Sequence, residues 1–109
     1  MILRLVLFHL RGEVTDYDSR VLLSSVTAAV KSVPGLLSFN VGRRVDGDGA
    51  YTLGEASANK DAAPFDYAAV FQFENANSLQ AYLRHPAQAE IRTRFAAVVS
   101  SAITCDYEI

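Results

Sequence analysis

Apolar positions repeat with two different periods along this chain, and each change of period marks a new element. Ile2 to Leu10 is an almost unbroken apolar run, short and rich in branched side chains, which predicts a strand buried on both faces. Gly12 ends it. Thr15, with Asp18 three residues on, predicts a helix N-cap with acidic residues in the first turn. Leu22, Val26, Ala29, Val30 and Val33 then line one helix face, and Pro34-Gly35 predicts its stop. Leu36 to Val45 reads as a second strand, with Leu37, Phe39, Val41 and Val45 on one face and Ser38, Asn40 and Gly42 on the other. Residues 46–64 form a long Gly-, Ala- and Asp-rich loop. Phe65 to Phe73 alternates again as a third strand. Asn75 or Asn77 can cap a short helix carrying Leu79, Tyr82 and Leu83, and Pro86 restarts the helix with Ile91, Phe95, Val98 and Val99 on its stripe. Ile103, Cys105, Tyr107 and Ile109 alternate with polar residues as a last strand. The order β-α-β-β-α-β, without repeat or linker, predicts one α+β domain of ferredoxin-like pattern over residues 1–109.

That pattern leaves an imbalance. Helices packed on one side of a sheet cover only one of its faces, so the other should carry polar residues. Yet the first strand places Leu3, Leu5 and Leu7 on one face and Ile2, Val6 and Phe8 on the other, and the third sets Ala68 and Val70 against Tyr67, Ala69 and Phe71. An apolar sheet face of roughly several hundred Å² marks an interaction surface. Twofold pairing with a second copy covers it, so a homodimer is expected, forming a dimeric α/β barrel. The competing arrangement is a monomer whose long loop folds across that face.

Composition narrows the partners. Half of the 109 residues are apolar, a fifth are charged and the net charge is −2, which gives no electrostatic reason to expect nucleic acid or an anionic membrane. The basic residues are scattered, with short groupings at Arg43-Arg44 and Arg92/Arg94. A lone cysteine, Cys105, excludes an intramolecular disulfide and a cysteine-based zinc cluster, and fits a reducing compartment. The apolar start is interrupted by Arg4, has no basic segment before it, and is too short to span a bilayer, so a cytoplasmic location is the expectation.

Several segments carry a likeness to a known family. Leu5-Val-Leu-Phe-His-Leu-Arg, Val33-Pro-Gly-Leu-Leu-Ser-Phe-Asn-Val-Gly, Tyr67-Ala-Ala-Val-Phe-Gln-Phe-Glu, Leu79-Gln-Ala-Tyr-Leu-Arg-His-Pro-Ala-Gln and the terminal Cys105-Asp-Tyr follow one another in a familiar order. Together they resemble the stress-responsive dimeric α/β-barrel proteins over nearly the whole chain, Tyr82-Leu-Arg-His-Pro-Ala being the most specific piece. The family includes olivetolic acid cyclase, an aldol-type polyketide cyclase. The resemblance sets Arg4 and Gln88 where that enzyme has histidines and Val26 where it has a tyrosine; Tyr82 alone matches. Enolate formation needs a base that titrates near neutrality. Glutamine takes no proton and arginine stays charged, so the likeness implies the fold without the cyclase's base.

Each candidate has a functional and a plainer reading. Arg4 can bind a ligand carboxylate or phosphate, or pair with Asp66 or Glu108 on a neighbouring strand. Tyr82 is a pocket donor or a core aromatic. His85 is a pocket acid or base, or a cap at the helix break. Gln88 comes in through the resemblance as a ligand contact. His9 sits at or near the dimer interface, and no third ligand accompanies the two histidines, so no metal and no cofactor are expected. The Asp46-Gly-Asp-Gly run resembles the opening of a calcium loop but has Ala50 and Ser57 at required ligand positions, which favours a plain turn. The loop itself is a candidate lid, and Cys105 a candidate core residue.

Three classes of function follow. The first is a dimer that binds, or acts on, a small apolar or aromatic acid in a pocket between sheet and helices; filling of that space by Leu22, Val26, Phe71 and Phe95 would count against it. The second is a non-catalytic stress or interaction dimer. The third is an oxygenase-type barrel, which related proteins suggest and no motif here supports.

Overall fold

The computed structural model describes residues 1–45 and 65–109. The readings of the 46–64 loop and of the Asp46 run lie outside the described residues. Strand β1 spans Ile2–Leu10, helix α1 Asp16–Val30, β2 Leu36–Arg43 and β3 Tyr67–Phe73. Helices α2 (Ala76–Arg84) and α3 (Pro86–Val98) follow, and β4 (Val99–Glu108) closes the chain. The four strands form one antiparallel sheet in the order β2-β3-β1-β4. This is the α+β, ferredoxin-like arrangement that the periods predict.

Local chemistry explains the boundaries. Thr15 caps α1 through a reciprocal box: the Asp18 N–H donates to Thr15 Oγ1 at 3.1 Å, and the Thr15 N–H donates to Asp18 Oδ2 at 3.2 Å. The helix ends at Val30, before the proline, because the backbone tightens there: Val33 N–H reaches Val30 C=O at 3.1 Å and Ser32 Oγ takes the Ala29 carbonyl at 2.7 Å. Val33 is buried in this turn rather than on the helix. Gly35 then adopts φ +81°, and a Cβ there would lie 2.7 Å from Ser78 Cβ, so the turn into β2 needs glycine on two counts. Asn75 caps α2, accepting from the Ser78 N–H at 2.9 Å.

Three strand readings are corrected. β2 stops at Arg43, leaving Val45 outside it and 84% exposed. A register shift between Leu36 and Ser38 makes Leu37 the extra residue of a bulge, so it stands 54% exposed instead of sharing the face of Phe39. β3 starts at Tyr67, and Phe65 packs on the His9 ring instead of pairing. β4 begins at Val99, directly from α3, so Val99 belongs to the strand and not to the helix stripe.

The three described helices lie on one face of the sheet. There Phe8, Val26, Val30, Phe71, Phe73 and Tyr82 form the heart of the core, each 3% exposed or less. The opposite face carries Leu3, Leu5, Leu7 and His9 from β1, in register with Tyr107, Cys105, Ile103 and Ser101 of β4. β2 contributes Ser38 and Asn40 to the same face, opposite Gln72 and Val70 of β3. Leu7, Ile103 and Tyr107 are 37%, 49% and 51% exposed. Cys105 is half-buried on this open face, not in the core between sheet and helices.

Candidate functional site

The layer between sheet and helices is filled unevenly. Beneath α1, the space lined by Leu22, Val26, Phe39 and Phe95 amounts to only about 100 Å³. On the far side, between the α2–α3 pair and the β1–β4 half of the sheet, a cavity of about 540 Å³ opens. Val6, Phe71, Leu83, Ile91 and Phe95 make its apolar wall. The asymmetry has a local cause. α2 and α3 are joined directly at His85, and α3 runs without a loop into β4, which bridges helix layer and sheet over short side chains such as Ala96, Ala102 and Thr104.

The polar groups of this cavity come from two strands and two helices. β1 supplies Arg4, whose Nε donates to Asp106 Oδ1 at 2.8 Å and whose Nη2 donates to Oδ2 at 3.1 Å. Asp106 stands directly opposite Arg4 in the β1–β4 register, which corrects the expected partners Asp66 and Glu108. The guanidinium also lies 5.9 Å from the centre of the Tyr82 ring, within cation–π range. Tyr82, from α2, is 2% exposed and packs on Phe71 and Phe73, so it is at once a core aromatic and a wall of the cavity. Burial pushes its phenol above the ordinary tyrosine value, and the Arg4 and Arg92 charges offset part of that rise. It therefore stays protonated through the physiological range and keeps a hydroxyl proton that it can donate.

Gln88 and Arg92, one turn apart on α3, complete the polar lining together with Thr104 of β4. Of the four residues singled out by sequence, Arg4, Tyr82 and Gln88 line one cavity. His85 does not: its Nδ1 accepts from the Ala87 N–H at 3.1 Å, capping α3 as the plainer reading had it. Arg92 was missed. The available signal was its position four residues after Gln88, on the same side of a helix.

His9 belongs elsewhere. Its Nδ1 lies 2.9 Å from Asp66 Oδ2 at the border of the open face, and its ring packs on Phe65 at 4.8 Å between centroids. Asp66 also accepts from Arg44 at 3.3 Å. These contacts, the His9 hydrogen bond first and that of Arg44 second, hold the Asp66 carboxyl below its ordinary value.

Four antiparallel strands, described helices packed on one face and a cavity beneath two of them define a ferredoxin-like α+β protein whose other, apolar sheet face is left open by the described residues. The chain belongs to the stress responsive A/B barrel domain family, whose family model matches residues 2–109. Solved structures agree. The Arabidopsis thaliana protein At3g17210 is similar with a TM-score of 0.81 at 16% identity, covering 100% of this chain and 95% of its own. A dimeric ferredoxin-like protein of unknown function from Thermobifida fusca gives a TM-score of 0.72 at 18% identity, covering 99% of this chain and 90% of its own. A variant of SnoaB, a cofactor-independent oxygenase from Streptomyces nogalater, gives a TM-score of 0.72 at 13% identity, covering 99% and 91%. No curated protein matches the chain by sequence. At these identities the likeness carries the fold and not the chemistry.

Proposed function

We propose that this chain is a homodimeric cytoplasmic binding protein for a small apolar or aromatic acid, one domain over residues 1–109 with one ligand site per subunit. The observation that carries the reading is the cavity of about 540 Å³ that brings Arg4, Tyr82 and Gln88 to an otherwise apolar wall. Size and lining suit a bicyclic aromatic, with a few convergent polar groups to orient it. Among the described residues its lining includes arginines, a protonated phenol, an amide and hydroxyls, but no carboxylate, imidazole or thiol. A site so built orients a ligand and stabilises negative charge; it supplies no general base that titrates near neutrality. Binding is accordingly preferred over turnover. No helix among the described residues is long and apolar enough to cross a membrane, and the lone cysteine fits a reducing compartment.

The open face and the dimeric relatives support dimerisation. Leu3, Leu5, Leu7, Val70 and Ile103 present an apolar patch that a second copy covers sheet against sheet. The reading is tested by titrating the isotope-labelled protein with naphthalene carboxylates and following backbone amide shifts. Saturable shifts centred on Tyr82, Gln88 and Ile91 are expected. Shifts confined to the sheet's open face, or none at millimolar ligand, would remove the binding site from the proposal.

A further inference from the structure

The cavity holds two guanidinium groups, and they are not equivalent. Arg4 is already committed. Two of its nitrogens bind both oxygens of Asp106 in fork geometry, and the pair as a unit is neutral. A ligand anion that drew Arg4 away would leave a carboxylate stranded at the cavity's edge. Arg92 is in the opposite position. No hydrogen bond or ion pair holds it among the described residues. Its neighbours one turn away on α3 are Gln88 and Ala96, neither of them acidic, and nearby Glu90 is occupied by Arg94 at 2.8 Å. Arg92 is exposed at its own position and lines the cavity, which places it at the mouth.

From this juxtaposition we infer that Arg92, and not Arg4, reads the ligand's charge, and that the ligand is a flat apolar molecule bearing a single carboxylate or chemically similar anionic group. The inference rests on the binding reading above and adds to it the residue and the charge class. The apolar body lies against Phe71, Ile91 and Phe95, while the buried Tyr82 donates to a polar substituent deeper in and the exposed Thr104 borders the rim. The carboxylate remains near the mouth, beside Arg92. With the Arg4–Asp106 pair neutral, the described residues of the lining carry one uncompensated positive charge, enough for a monoanion. The Arg92 charge is felt inside the cavity, since it acts on the Tyr82 phenol.

The test compares naphthalene-1-carboxylate with its neutral isostere naphthalene-1-carboxamide, each titrated by amide shift perturbation into the native protein, R92Q and R92K. The carboxylate is expected to bind the native protein roughly tenfold more tightly than the carboxamide, the scale of a hydrogen bond to a charged group. R92Q should lower carboxylate affinity to the carboxamide level and leave carboxamide binding unchanged. R92K should retain part of the preference, and added salt should erode it in the native protein. Equal binding of both compounds by the native protein, or a preference that survives R92Q, overturns the assignment of Arg92 while leaving the cavity as a binding site. Failure of both compounds to bind overturns the binding reading and this inference with it.

Discussion

The two faces of one sheet, built from the same four strands, solve opposite problems. On the helix side Phe8, Ala69, Phe71 and Phe73 are 3% exposed or less, and aromatic rings interlock across β1, β3 and α2. On the other side residues of equal apolarity, Leu7, Ile103 and Tyr107, keep between 37% and 51% of their surface. Composition does not separate the faces; cover does. A strand registers both patterns in alternate residues, so an apolar face that the described residues leave open has the character of an interaction surface.

The largest effect expected from breaking this contrast is on the covered side. Phe73→Ala removes a fully buried ring and should cost about 3–5 kcal/mol, whatever the protein concentration. Urea unfolding at two concentrations tenfold apart checks both the size and its independence of concentration. Ile103→Lys addresses the open side. Ile103 is already half-exposed in the single chain, so the subunit should fold while the proposed dimer dissociates. Sedimentation should change from twice the 11.9 kDa chain mass to the chain mass itself, and the melting temperature should lose its dependence on concentration. Native protein that sediments as a single subunit at micromolar concentration would contradict the dimer outright.

Much of this contrast was legible in the sequence, because period-two alternation and helix caps are local. The strand faces, the Thr15 cap and the choice of Asn75 or Asn77 for the next cap all follow from residues within one or two turns of each other, and the structure selects Asn75. What was not legible depends on which strand lies beside which. Sequence alone offers Arg4 a ligand anion, Asp66 or Glu108 as its partner, yet antiparallel pairing of β1 with β4 sets Asp106 directly opposite it. Asp66 faces His9 instead, on the far side of the sheet. The bulge at Leu37 and the loopless passage from α3 to β4 were hidden for a related reason: Val99 satisfies a helical stripe and a strand equally well. Arg92 looked like any solvated helix residue until the cavity beneath it was seen.

A smaller effect sharpens the comparison at the Arg4–Asp106 pair, which borders the covered layer. Asp106→Asn leaves the Arg4 guanidinium, 14% exposed in its side chain, without its counter-charge. Because Asp106 itself is 34% exposed and partly screened, the expected loss is about 1 kcal/mol, well short of a buried-pair penalty. Thermal unfolding of D106N against the native chain measures it. The predicted loss should persist in an Ile103→Lys background, since the two residues lie on opposite faces and share no partner.

The smallest effect lies at the border of the open face and shows in pH dependence. Asp66 is held below its ordinary value, first by the His9 hydrogen bond and then by that of Arg44, so the folded chain favours its ionised form. A carboxyl depressed in this way adds stability above its unfolded value, about pH 4, and that contribution is lost as pH falls through the lower folded value. Asp66→Asn should therefore lower the urea midpoint slightly at neutral pH, and the difference should close on the acid side of pH 4. Equal midpoints for D66N and the native chain from neutrality to acid would show that solvent already screens the His9–Asp66 contact. A difference that widened toward acid would have the wrong sign for a depressed carboxyl. In either case the open face would owe its stability to apolar contact alone, and the contrast with the helix side would reduce to which face has a partner.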